Sequence, residues 1–177
     1  MKYSNITKDI ALASMFLSIT IVASLISGSY IPKIPFLDAH LDFWYGIAIV
    51  GILFLRSPLI AISYVFAIVF GMMIFELPSY AGIGDYFIET GIPVMFILLF
   101  YCIKEKTEGK VQIMIISLYL IVWTLIRLLF LSIGGNIFWG INFKVSLIIN
   151  SKNVFMDLIV IALIIVPIYS LQKHFNI

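Results

Sequence analysis

Three ionisable side chains stand inside otherwise apolar runs of this 177-residue chain: Glu89, Arg127 and Asp157. A charge in a membrane-crossing helix is costly and normally turns toward the bundle interior or a wet cavity, paired with a partner. Two carboxylates and one guanidinium can pair once and leave one negative charge over. Nearby acids (Asp38, Asp42, Glu76 and Asp85) outnumber the lysines on the same side. A cavity lined in this way favours a cationic or hydrogen-bond-donating ligand. The competing expectation is structural: Arg127 clamps Glu89, and Asp157 reaches out to water along its stem.

Other chemistry is thin. His40 and His174 are isolated from each other, so no metal site is expected. The single cysteine, Cys102, lies in an apolar run and can form no internal disulfide. There is no phosphate-cradling glycine loop for ATP hydrolysis, and no serine, histidine and acid are spaced for nucleophilic work. Gly134-Gly135 reads as a turn after the fifth helix. The chain is expected to bind rather than catalyse, with no cofactor. A net charge of +2, dispersed along the sequence, points away from nucleic acid.

The elements that must hold these residues follow from composition. The chain is 63% hydrophobic and 11% charged, where a soluble domain carries roughly 25% charged residues. Too little polar surface remains to cover a water-exposed domain, so lipid must solvate it. About 20 apolar residues cross a bilayer core. Spans are expected at residues 10–27, 41–55, 58–75, 86–103, 111–131 and 154–171, forming one all-α integral membrane domain. The first is not expected to be a cleaved signal, since it lacks a clear small-residue cleavage site. The second is short and separated from the third only by Arg56-Ser57-Pro58, with proline suited to a helix start. Those two could instead form one broken re-entrant unit.

Basic residues set the orientation. With the N-terminus inside, seven (Lys2, Lys8, Arg56, Lys104, Lys106, Lys110, Lys173) fall on the inner side and three (Lys33, Lys144, Lys152) outside. Six transmembrane helices with both termini cytoplasmic is the consistent topology. The outer connections, 28–40, 76–85 and 132–153, are long and carry Tyr30, Tyr80, Trp139 and Phe143, which suggests recognition at the outer face. Glu89 and Asp157 then lie three residues into descending helices, and Arg127 four residues short of the end of an ascending one. All three are expected at one level, about 5 Å below the outer boundary.

Some local stretches resemble a known family. Ile133-Gly134-Gly135-Asn136-Ile137-Phe138-Trp139 is similar to the Ile-Ala-Gly-Ile-Ile-Phe-Trp stretch that follows helix five in S components, the substrate-binding subunits of energy-coupling factor vitamin transporters. Phe87-Ile88-Glu89-Thr90-Gly91-Ile92-Pro93-Val94 resembles the Phe-Leu-Glu-Tyr-Leu-Val-Ala-Pro-Val opening of helix four in the thiamine-specific branch. Size and six-helix layout agree over nearly the whole chain. The resemblance implies ligand-binding roles for Glu89 and Trp139, for Tyr80 upstream and for Asn153 in the last helix. Arg127 stands where the family has a lysine, and His40 or Trp44 lies close to a first-loop tryptophan. Three cage positions depart: Thr90 replaces a tyrosine, Leu131 a histidine, and Ile148 falls near another tyrosine. The family further implies a transmembrane coupling subunit and two ATPases, contacted through small residues of helix one. Ala11, Ser14 and Ser18 lie at helical spacing there.

The leading expectation is therefore high-affinity capture of thiamine or a thiamine precursor at a bacterial plasma membrane. Glu89 would bind the ligand, Arg127 would orient Glu89, and Tyr80 and Trp139 would stack on a ring. Alternatives are an S component for another vitamin such as riboflavin or pyridoxine, and a gradient-driven carrier relaying protons through Asp157 and Glu89.

Overall fold

A computed structural model describes residues 2–29, 42–76, 80–104 and 110–175. These residues form α1 (Lys2–Ser29), α2 (Trp44–Phe54), α3 (Pro58–Glu76), α4 (Ile83–Tyr86), a π-helical turn (Phe87–Gly91), α5 (Ile92–Met95), α6 (Leu98–Lys104), α7 (Lys110–Trp139) and α8 (Phe143–Phe175). No strand occurs among the described residues. Among the described residues, five apolar segments are long enough to cross a membrane: Ile6–Ser27, Pro58–Phe75, Ile83–Cys102, Met114–Trp139 and Phe143–Ile165. The chain is an all-α, multi-pass membrane protein. Its outer surface is what lipid requires, with Ile10, Leu59, Ile74, Met114, Leu125, Ile148 and Leu163 all exposed. Ile49, Ile52, Ile68, Met72, Ile97, Phe100 and Ile161 pack inside.

The expected second span is instead an 11-residue helix, about 16 Å long and too short to cross a bilayer core alone. Nine of its residues are buried, and it packs against α1, α6 and α8. An apolar helix without a polar face belongs in an interior. Its C-terminal end is tied down by Asp9, whose Oδ2 accepts the backbone N–H groups of Arg56 (3.0 Å) and Ser57 (2.6 Å). Tyr101 donates its hydroxyl to the Arg56 carbonyl at 2.6 Å. Asp9 was not among the intramembrane charges expected from sequence, because the apolar run begins at Ile10. The helix itself begins at Lys2, and Asp9 is 2% exposed.

The fourth span is irregular for a local reason. Pro93 lacks an N–H, and its ring would strike the carbonyl of Glu89 in a regular α-turn. The backbone widens over Phe87–Gly91, where Ile92 N–H reaches back to the Phe87 carbonyl. It then tightens, with Ile97 N–H bonding Val94 O at 3.0 Å. That leaves the Pro93 carbonyl without its usual partner, and Trp123 Nε1 of α7 donates to it at 2.8 Å. Irregular backbone persists within a membrane only where such partners restore its hydrogen bonds.

The last two helices differ most from expectation. α7 runs to Trp139 rather than residue 131, and α8 starts at Phe143 rather than residue 154. The long loop expected over 132–153 reduces to the link 140–142, where Gly140 adopts φ +65°. Gly134 and Gly135 are helical, not a turn. A Cβ on Gly135 would collide with Ser146 Oγ of α8, so glycine there lets the two helices close on each other. The depth reckoning changes with the helix ends. Arg127 lies twelve residues from the end of α7, and Asp157 fourteen from the start of α8, about 18 and 21 Å along their axes. Both sit near the middle of their spans rather than close to a boundary.

Candidate functional site

Because α2 spans only part of the bundle, space remains beyond its N-terminus. A cavity of about 450 Å³ opens there, lined by residues from every long helix except α8. Arg127, Asp42, Trp44 and Tyr45 form its base, Ser24, Ser27 and Phe75 stand along one side, and Tyr80, Glu89, Thr90 and Leu131 along another. Trp139 is at the far end.

The base is a charge cluster. The Arg127 guanidinium is 4% exposed and pairs through Nη1 with Asp157 Oδ2 and through Nη2 with Asp42 Oδ2, the latter at 2.8 Å. Asp157, 1% exposed, also accepts the backbone N–H of Asp42 at 2.8 Å. One acid thus anchors both the arginine of α7 and the entry to α2. The guanidinium lies 4.1 Å from the centroid of the Tyr45 ring, a cation–π contact strengthened by the lack of water. Tyr45 stacks in turn on Trp44, with centroids 3.6 Å apart. Two carboxylates on one guanidinium leave one formal negative charge, and the partly exposed side chain of Asp42 turns it toward the cavity.

Glu89 occupies a different level. Its side chain packs on Gly134, where a Cβ would lie 2.6 Å from Oε1. Gly134 is seven residues beyond Arg127, about 10 Å further along α7. The expected common level therefore holds for Arg127 and Asp157 but not for Glu89. The expected orientation of Glu89 by Arg127 is likewise overturned, since both terminal nitrogens of the guanidinium serve aspartates. Asp157 does not reach water either. Beside Glu89, Thr90 Oγ1 and Tyr80 Oη share a 2.6 Å hydrogen bond.

At the far end, Trp139 Nε1 donates to Asp85 Oδ2 at 3.0 Å, and the same oxygen accepts Ala81 N–H at 2.9 Å. Asp85 is 0% exposed, and its Oδ1 has no hydrogen-bond partner among the described residues. Phe138 packs over Gly84, so the α7–α8 corner rests on the start of α4.

Of the residues singled out from sequence, Glu89, Trp139, Tyr80, Arg127 and Trp44 share this cavity wall. Asp157 stands behind Arg127. Asn153, one helical turn from Asp157, is half-buried and not on the wall. His40 lies outside the described residues. Thr90 and Leu131, where aromatic and imidazole groups were expected to be missing, do line the cavity, whereas Ile148 is exposed on α8. Sequence reading did not find Asp42 as the second partner of Arg127, nor Tyr45, nor Asp85 as the anchor of Trp139. Asp85 stands four residues before Glu89, one turn away on any helix, and that spacing was the available signal. Ala11, Ser14 and Ser18 all lie on the exposed face of α1, away from the cavity, with Ser18 Oγ bonded to the Ser14 carbonyl at 2.9 Å. No cluster of three His, Cys, Asp or Glu side chains able to hold a metal occurs among the described residues. No protein-family profile, curated protein or solved structure gives a significant match to the chain.

Proposed function

We propose that this chain is the substrate-capturing subunit of a vitamin uptake system, an S component that binds thiamine or a thiamine precursor and performs no chemistry. The observation that carries the proposal is the cavity itself. Its volume of about 450 Å³ lies within the range of sites that enclose small ligands. Aromatic rings (Trp44, Tyr45, Tyr80, Trp139) share its wall with carboxylates in excess of cations, a lining suited to a flat cationic ring. The bias of basic residues puts both termini and the Asp9–Arg56 end in the cytoplasm, so the Trp139 end faces outward. A transmembrane coupling subunit and two ATPases would supply the energy, and the exposed Ala11–Ser14–Ser18 face of α1 would meet the coupling subunit, where small side chains permit close helix approach. The membrane is then a bacterial plasma membrane.

Calorimetry on detergent-purified protein tests the reading, with thiamine, its pyrimidine precursor, riboflavin and pyridoxine as the panel. Nanomolar binding of thiamine or the precursor is expected. Absence of heat with every compound, together with unchanged growth of a Glu89→Gln strain on limiting vitamin, would sink it. A gradient-driven carrier relaying protons through Asp157 is disfavoured by the engagement of Asp157 with Arg127 and Asp42 N–H. Uptake that persists without ATPase partners would restore that alternative.

A further inference from the structure

The cavity wall carries two carboxylates that the ion pairs of its base leave unneutralised, and they stand well apart. Asp42 gives only Oδ2 to Arg127 Nη2, at 2.8 Å, and its side chain is 35% exposed. Its backbone N–H is fixed on Asp157, so this carboxylate is held at one place on the wall. Glu89 lies on the same wall against Gly134, and no described cation pairs with it. Arg127, the cation of the base, already serves two aspartates. The two stations are marked along α7 by Arg127 and Gly134, seven residues and about 10 Å apart. Between them α7 presents Leu131 to the cavity. On the opposite side Gly71 of α3 meets Ile21 of α1, and the next turn of each helix brings Phe75 and Leu25 to the wall. Nearby hydroxyls are committed within the protein, Ser27 to the Ser24 carbonyl and Tyr80 to Thr90.

We infer that the cavity takes a two-headed ligand lengthwise, with one cationic or N–H-donating group on Asp42, another on Glu89, and an apolar or aromatic middle between them. An ionised carboxylate only accepts hydrogen bonds, so each station selects a donor, and a charged donor most strongly. Asp42 is then a ligand-binding residue as well as a partner of Arg127. The spacing sets the length of the ligand. Contacts of about 2.8 Å at each end leave about 5 Å between heads that point along the line joining the carboxylates. Heads that lie alongside the carboxylates stand about 10 Å apart. A ligand with one head satisfies one station and strands the other carboxylate as water leaves, which weakens binding. A ligand with two heads of the right spacing satisfies both in a single association, the second contact being intramolecular. The inference rests on the capture reading for its setting, but not on thiamine as the captured molecule.

Calorimetry on the detergent-purified chain with simple amines tests this. Hexamethylenediamine and hexylamine share one apolar middle and differ by a single cationic head. Ethylenediamine has two heads too close together to span the stations. The unaltered protein should bind hexamethylenediamine at least about tenfold more tightly than either of the others. Asp42→Asn and Glu89→Gln should each abolish that preference. Both variants should still bind hexylamine within about threefold of the unaltered protein, which also shows that they are folded. Equal affinities for hexamethylenediamine and hexylamine, a preference that survives either substitution, or absence of heat with every amine would each overturn the inference. Thiamine run on the same preparations separates the two readings. Thiamine binding without a diamine preference would refute the two-headed site and leave the capture reading standing. A diamine preference without heat from thiamine would support the two-headed site and remove thiamine as its ligand.

Discussion

Replacing Arg127 by leucine removes the centre of the charge cluster, and the structure sets the scale of the effect. Asp157 is 1% exposed and would be left with only the Asp42 N–H. Asp42 keeps a partly exposed side chain and can turn toward the cavity. Breaking a buried pair by removing one partner costs about 3–5 kcal/mol, mostly because the other charge stays buried. The Tyr45 ring also loses its cation, worth about 1–2 kcal/mol when desolvated. Arg127→Leu should therefore destabilise the fold by roughly 4–7 kcal/mol. Asp157→Leu alone strands the guanidinium less completely, because Asp42 remains, and about 3 kcal/mol is expected. The double variant buries no unpaired charge at this point, so it should be less destabilised than the sum of the singles by about 2–3 kcal/mol. Reversible unfolding in mixed detergent micelles, followed by circular dichroism, measures all four corners of the cycle. Additivity to within about 0.5 kcal/mol would refute the pairing of Arg127 with Asp157. An Asp42→Ala variant bounds the result from the other side. Its ion pair is partly exposed, so a loss of about 1 kcal/mol or less is expected.

Further predictions concern other parts of the bundle. Gly134→Ala places a methyl group 2.6 Å from Glu89 Oε1, so it should move that carboxyl and weaken ligand binding at least tenfold, about 1.4 kcal/mol. Its helix propensity is higher than that of glycine, so the melting temperature should hold, and calorimetry with a thermal melt reads both quantities. Pro93→Ala allows a regular α-turn through residue 89. It should shift Glu89 around the helix and reduce affinity while preserving helix content. Asp9→Ala removes the acceptor of two backbone N–H groups, each charge-assisted and worth about 1.5–3 kcal/mol. It should lower stability by a few kcal/mol with ligand affinity retained, because the site lies at the other end of α2. Trp139→Phe loses the 3.0 Å bond to Asp85 and should weaken ligand binding without loss of folded protein.

Composition alone determined that this chain lives in lipid and folds as apolar helices, because so few charged residues cannot clothe a water-soluble surface. The residue types at positions 80, 89, 127 and 139 also pointed to one binding surface, and all four share the cavity wall. Their mutual geometry was not legible. Gly134 and Gly135 read as a turn because glycine disfavours helices by about 1 kcal/mol each. Close packing of Glu89 against one and Ser146 against the other outweighs that preference, carries α7 to Trp139, and moves Arg127 to mid-span. Arg127 had several acids within plausible reach. The choice of Asp42 and Asp157 over Glu89 depends on where the short helix α2 ends and how α7 and α8 lie together, relations between segments distant in sequence. The cavity has the same origin. Local sequence specified the apolar character of α2, but only the packed bundle shows that its N-terminus stops beside Arg127, leaving a space with carboxylates on its walls.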